Sequence, residues 1–291
     1  MHAFYSAQGR MTSPGRHKSL FDGLPSGAGA LAAVAQGQIV HEFLTKLYGF
    51  ELSDERRATV HVRPVEEILD HIAAVDSRPL TAAREPHARF VGDCRHFTVF
   101  TVAMLRAQGT PARARCGFGG YFGTGMFQDH WVCEYWNDEA GGWVLADAQL
   151  DETQRRLFGI DFDPLDVPRD GFVVAGQAWQ QYRAGEADPA SFGLSAIKEG
   201  GDWWIAANLV RDVAALNNME MLPWDVWGVM PKPGDPIDGE ALELFDRLAE
   251  LTQDPDFPQP RLTDAYESDD RLRVPGSVFN AVRNRIEEID R

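Results

Sequence analysis

No stretch of this chain approaches the roughly 18 consecutive apolar residues that a membrane-spanning helix needs. Its 44% apolar content is broken into short runs. Cysteine is scarce, with only Cys94, Cys116 and Cys133 present. An odd, low number does not build a disulfide framework, so a reducing cytoplasm is the expected compartment. Positive charge is scarce as well. The chain has 28 basic side chains against 44 acidic ones, a formal net charge of −16. An acidic body repels phosphate backbones and anionic lipid, which argues against nucleic acid and membrane as main partners. Repeats and low-complexity tracts are missing too. Near the start, Arg10, Arg16 and Lys18 precede the small-residue run from Ala28 to Ala35, but Asp22 and Pro25 interrupt anything resembling a leader. Residues 1–27 read as a flexible arm.

What is present suffices for a folded enzyme-sized body. The 291 residues and 25% charged content are those of one large domain or two small ones. Val34, Ile39, Phe43, Leu44 and Leu47 approximate helical spacing and predict a helix over 31–50, stopped near Gly49. Pro64 followed by Val65, Ile68, Leu69 and Ile72 predicts a second helix to about residue 74. The clearest helix is expected over 94–107, where Phe97, Thr98, Thr101, Val102 and Leu105 share a face and Gly109 closes the element. Strand-like runs follow at 112–118, 130–136 and 143–146, separated by Gly-rich turns and the polar Asn137–Gly142 segment. A helix followed by a run of strands predicts an α+β fold with an antiparallel sheet.

All eight tryptophans lie at or after Trp131. They are read as core packing, with an aromatic cleft wall as the alternative. A boundary is expected at Pro231-Lys232-Pro233-Gly234, then an acidic amphipathic helix over 240–251. Phe279, Val282, Ile286 and Ile289 predict a last helix that docks or dimerises.

Three residues carry the chemistry. In Gly92-Asp93-Cys94-Arg95-His96-Phe97 the cysteine is expected in the first turn of a helix, where free N–H groups and the macrodipole favour a thiolate. Gly92 is read as permitting the tight entry and Arg95 as adding positive potential. A thiolate nucleophile needs a base, and the base needs an orienting acceptor. His130 opens a predicted strand and shares a face with Val132 and Glu134. Asp147 ends the next strand, and two antiparallel strands would bring it near His130. Singly, each has a bland reading: a helical cysteine filling space, a satisfied core histidine, a turn aspartate.

Together, in this order, the stretch from about Phe90 to Asp151 resembles the transglutaminase-like superfamily. The likeness includes the link Leu105-Arg106-Ala107-Gln108-Gly109-Thr110-Pro111-Ala112-Arg113 and covers about a fifth of the chain. It implies a papain-like core in which a Cys-bearing helix packs on an antiparallel sheet, with helical additions at both ends. It implies Cys94 as nucleophile, His130 as general base then acid, and Asp147 as its orienter. The implied activity is acyl transfer at an amide, ester or thioester, to water or an amine, with no metal or organic cofactor. The expected substrate is a peptide, protein or small acyl compound. The expected division is a catalytic domain over 28–234, with its core at about 85–155, and a C-terminal helical extension over 235–291 that allows a homodimer. A reading of another class is a catalytically silent transglutaminase-like module that grips a peptide through its Trp-rich part.

The family's side-chain oxyanion donor is not identifiable: no Trp precedes Trp131, and only Gln8, Gln36 and Gln38 precede Cys94. His96 is expected to face away from Cys94. His2, His17, His41, His61, His71 and His87 lack metal-ligand spacing, Cys116 and Cys133 suit strand packing, and Asp161-Phe162-Asp163-Pro164 is an incomplete cation loop. Gly117-Phe118-Gly119-Gly120 lacks the lysine and helix of a phosphate loop.

Overall fold

The computed structural model describes residues 2–253 and 259–289. Its helices in chain order are α1 (His2–Ser6), α2 (Ala28–Gln38), α3 (Asp54–Arg57), α4 (Val65–Val75), α5 (Cys94–Ala107), α6 (Glu152–Phe158), α7 (Ala175–Arg183), α8 (Asp202–Leu216), α9 (Gly239–Gln253) and α10 (Gln259–Ser268). Its strands are β1 (Ile39–His41), β2 (Phe90–Gly92), β3 (Ala112–Gly119), β4 (Phe127–Asn137), β5 (Gly142–Ala146), β6 (Phe172–Val174), β7 (Phe192–Leu194), β8 (Glu199–Gly200), β9 (Asp225–Val226), β10 (Ser277–Asn280) and β11 (Arg285–Glu288). The fold is α+β, mixing helices with a mostly antiparallel sheet. No described helix is long and apolar enough to cross a membrane.

The main sheet runs β6-β3-β4-β7-β8, with β5 pairing β4 beside that path. Antiparallel pairs dominate, but β4 meets β7 in parallel through Phe127↔Phe192 and Gln128↔Gly193. The chain divides into two compact units that do not follow the expected divisions at 27 and 234. One comprises His2–Ala114 and Val132–Val167, and the other Arg115–Trp131 and Pro168–Arg291.

In the unit containing Cys94, α5 is the centre. Phe97, Val99, Phe100, Val102, Ala103 and Met104 are all buried, so the helix is covered on every side rather than on one stripe. Leu31 and Val34 of α2 and Ile68, Leu69 and Ile72 of α4 complete its cluster. The expected helix over 31–50 breaks at Gln38, where β-branched Ile39 and Val40 pair in parallel with Phe90 and Val91 of β2. The amide of Gln38 donates to the carbonyls of Leu80 and Ala82, fixing the break point. The N-terminal segment corrects the flexible-arm reading. Tyr5 is fully buried and packs edge-on to Trp143, Met11 is buried, and the carbonyl of Met11 accepts from the N–H of Val65 at the head of α4. Glu134 is buried against Arg113 at 2.7 Å, and that guanidinium lies 3.9 Å from the centre of a Trp143 ring.

In the other unit, α8 is held by a second buried ion pair. Arg115 donates to both carboxylate oxygens of Asp212 and to the carbonyl of Thr252, and the N–H of Cys116 donates to Asp212 Oδ1. Trp131, Trp179 and Trp227 are buried, and Trp179 and Trp227 donate their indole N–H to Asp246 and to the carbonyl of Leu272, so core packing is their role. The α9 helix forms where expected. The last predicted helix does not: Phe279 and Ile286 pair across the β10–β11 hairpin, whose turn places Asn284 at φ 49. The expected dimer helix is therefore a hairpin.

Candidate functional site

Cys94 is the first residue of α5 and is 7% exposed. Asp93 caps this helix in extended geometry through a reciprocal box. Its Oδ1 accepts from the His96 N–H at 3.2 Å, and His96 Nδ1 accepts from the Asp93 N–H at 3.1 Å. A histidine thus fills the role usually taken by Glu or Gln. Nε2 of His96 lies 2.9 Å from the Val62 carbonyl, which can only accept, so that nitrogen carries a hydrogen. His96 therefore belongs to the helix cap, as its expected orientation away from Cys94 allowed. Gly92 is required for a reason other than turning: a Cβ there would lie 2.8 Å from the Cβ of His96 and 2.9 Å from its ring. Burial works to raise the Asp93 carboxyl, but His96, with His41 and Arg95, outweighs it and holds the group below its ordinary value. Arg95 is itself fully buried and donates to the Arg63 carbonyl at 2.6 Å, so it acts inside the fold rather than on an open surface. The carbonyl of Cys94 accepts from the Thr98 hydroxyl at 2.9 Å.

Asp147 is in the same unit, immediately after the last β4–β5 pair, Cys133↔Ala146. It is 1% exposed. Its N–H donates to the Pro164 carbonyl at 2.7 Å, and its Oδ1 accepts from the Gln149 N–H at 3.0 Å. These bonds lock a carboxylate at a strand end. Gln149 continues to Gln154, which donates to the Tyr48 hydroxyl, and that hydroxyl donates to Asp151 at 2.7 Å.

His130 lies in β4, in the residues assigned to the other unit, and is 3% exposed. Aromatic rings meet its imidazole edge-on: Phe122 at 4.9 Å, Tyr121 at 6.0 Å and Phe172 at 6.3 Å between centroids. The neighbouring Asp129, which points to the opposite face of the strand, is half-buried and accepts from the Trp204 indole at 2.7 Å. Burial raises its carboxyl, against the opposing effects of Arg211, Trp204 and Asn208.

The sequence reading missed the flank of the Cys94 helix. In the β1–β2 pair His41 stands opposite Gly92, so the chain at 41–42 runs beside 92–93. Glu42 follows, its side chain only 9% exposed and 3.2 Å from Arg57. Burial first, then the charge of Asp93, pushes its carboxyl up to about 7 despite Arg57. Three-residue parallel strands about 50 positions apart leave no periodic signal, which is why the pairing was not foreseen. Among the described residues no group of three or more His, Cys, Asp or Glu could hold a metal ion.

Residues 64–148 match the family model of the transglutaminase-like superfamily. The match supports a thiol-dependent kind of enzyme. No curated protein matches. The chain is similar to a crystal structure from Cytophaga hutchinsonii described as a candidate cysteine protease, at 17% identity and a TM-score of 0.32. That likeness covers 58% of this chain and 44% of the other.

Proposed function

We propose that this protein is a thiol acyl-transfer enzyme in which Cys94, His130 and Asp147 act as nucleophile, base and orienter. The observation that carries the reading is the position of Cys94, the leading residue of a capped 14-residue helix inside the transglutaminase-like segment. There the N-terminal N–H groups and the helix dipole favour a thiolate over a thiol. Support for Asp147 comes from its buried, hydrogen-bonded place at the end of β5, and support for His130 from its aromatic surroundings on β4.

In the proposed reaction His130 takes the thiol proton and the sulfur attacks an acyl carbonyl. The resulting oxyanion faces the first N–H groups of the helix. Collapse expels the amine, alcohol or thiol leaving group, which takes the proton back from His130. The Cys94 thioester is then resolved by water, giving an acid, or by an amine, giving an amide, with His130 again acting as base. The substrate class is a peptide, protein or small acyl compound, and the acidic surface disfavours polyanions. A reducing cytoplasm suits this chemistry, and none of the three cysteines is in a disulfide.

Intact-mass spectrometry after exposure to acyl thioesters, with and without an amine donor, tests the reading. An acyl adduct absent from Cys94→Ala is expected, with amine consuming it faster than water if transfer is the main reaction. Failure of every acyl donor to load Cys94 would instead favour the silent binding module.

A further inference from the structure

The turn between β3 and β4 carries two aromatic residues, Tyr121 and Phe122, and both are half-exposed. The turn is tied down at its base. Gln128 donates to the Thr124 hydroxyl at 2.7 Å, and its Oε1 accepts from the N–H and the hydroxyl of Ser195 at 3.0 and 2.8 Å. The N–H of Gly120 donates to the Gly171 carbonyl at 2.8 Å. The two rings lie 4.7 Å apart between centroids. Phe122 meets the His130 imidazole at 4.9 Å and 74°, and Tyr121 meets it at 6.0 Å and 89°. These are the steep inclinations and separations that aromatic pairs favour. Independently, Gly119 is fitted to the arrangement. A Cβ there would lie 2.8 Å from the Phe122 ring and 3.2 Å from the Tyr121 ring, so a side chain at 119 would push both rings away.

The backbone next to His130 is already fixed, by the bonds of Gln128 and by Asp129 accepting from the Trp204 indole. What remains free is the imidazole itself, whose second torsion has a broad well. A general base must keep one nitrogen aimed at the proton it takes, and a small error of aim is costly. Phe172 also meets the imidazole, at 6.3 Å, but it is buried in β6 and belongs to the core. The half-exposed pair is the part of the surround that the core does not need. We infer that Phe122 and Tyr121 are positioning residues, whose rings hold the His130 imidazole in its working orientation and keep it covered. This deepens the proposed function and rests on it. Neither ring is asked to touch the reacting atoms.

Two readouts on Phe122→Ala, Phe122→Tyr and Tyr121→Ala test it. The first is the position of the His130 ring signals in the proton–carbon spectrum of histidine-labelled protein, assigned by their loss in His130→Gln. The second is acyl-thioester hydrolysis, resolved into kcat and KM. Phe122→Ala should displace the His130 signals and lower kcat about tenfold, with KM changed by less than about twofold. Phe122→Tyr keeps a ring and should restore both. Tyr121→Ala, at the longer distance, should act in the same sense but more weakly. Unmoved His130 signals in both alanine variants would overturn the inference, whatever the kinetics. So would displaced signals with native kcat, or a rise in KM alone, which would make the rings a grip on substrate. A Phe122→Tyr protein as slow as Phe122→Ala would overturn it too. If the native protein loads no acyl donor at Cys94, the proposed function falls and this role falls with it. If the native protein turns over and only the variants behave as native, the inference alone fails.

Discussion

Replacing Asp93 by alanine removes the cap of the helix that carries Cys94. The side-chain acceptor of the His96 N–H disappears, while His96 Nδ1 can still accept from the backbone N–H at position 93. One of the two reciprocal bonds is therefore lost outright. N-cap removal costs about 0.5–2 kcal/mol, and His96 is fully buried, so water cannot replace the acceptor freely. The expected loss lies at the upper end, about 2 kcal/mol. Urea denaturation at neutral pH, followed by circular dichroism, measures it. Asp93→Asn keeps an acceptor and should recover most of the loss. The native carboxyl is held below its ordinary value, so its charge stabilises the fold above the unfolded-state value, and that contribution is lost as pH falls through the folded-state one. The gap between native protein and Asp93→Ala should therefore narrow in acid. If Asp93→Asn is as damaging as Asp93→Ala, the cap is not the cause and the reasoning fails.

Glu42 has the opposite sign. Its carboxyl is raised from 4.5 to about 7, so this group favours the folded state below the unfolded value and loses that contribution as pH rises through the folded one. Glu42→Gln should grow more stable relative to the native protein between acid and about pH 8, by up to about 3 kcal/mol, in parallel melts across pH; a flat difference would reject the shift. Glu134→Ala, which strands the fully buried Arg113, should cost about 3–5 kcal/mol in denaturant, whereas Arg113→Met combined with Glu134→Leu should cost far less. Gly92→Ala must push the His96 ring aside and should cost about 1–3 kcal/mol while slowing Cys94 alkylation. A stable, fully reactive Gly92→Ala protein would show that the close approach is unimportant.

The parts legible in the sequence were those with local periodicity and local punctuation. Cys94–Ala107 declared itself by its apolar period and by Gly109, which takes φ 80 just past the helix end. The β4–β5 hairpin declared itself by alternation around Asn137–Gly142. What stayed hidden depends on partners distant in sequence. Tyr5 and Met11 belong to no periodic pattern, and only Trp143, Arg113 and the head of α4 give them a place to be buried. Phe279, Val282, Ile286 and Ile289 fit a helical spacing, yet Val226 of β9 offers Phe279 a strand partner and the chain turns back at Asn284. In the site, residue order pointed to Cys94, His130 and Asp147, but nothing in the order revealed that Glu42 flanks the cap, because β1 and β2 meet only in three dimensions.

The central claim is that Cys94 is an activated thiolate served by His130. Cys116 and Cys133 are fully buried, and burial pushes the Cys133 thiol up, so they are internal references that should stay unmodified. The direct measurement is the rate of Cys94 alkylation by iodoacetamide across pH, by peptide mapping, in the native protein and in His130→Ala. The account predicts labelling that persists well below the range of an ordinary thiol, with a profile shifted upward in His130→Ala. A Cys94 that titrates like an ordinary thiol, with the same profile in both proteins, would contradict it.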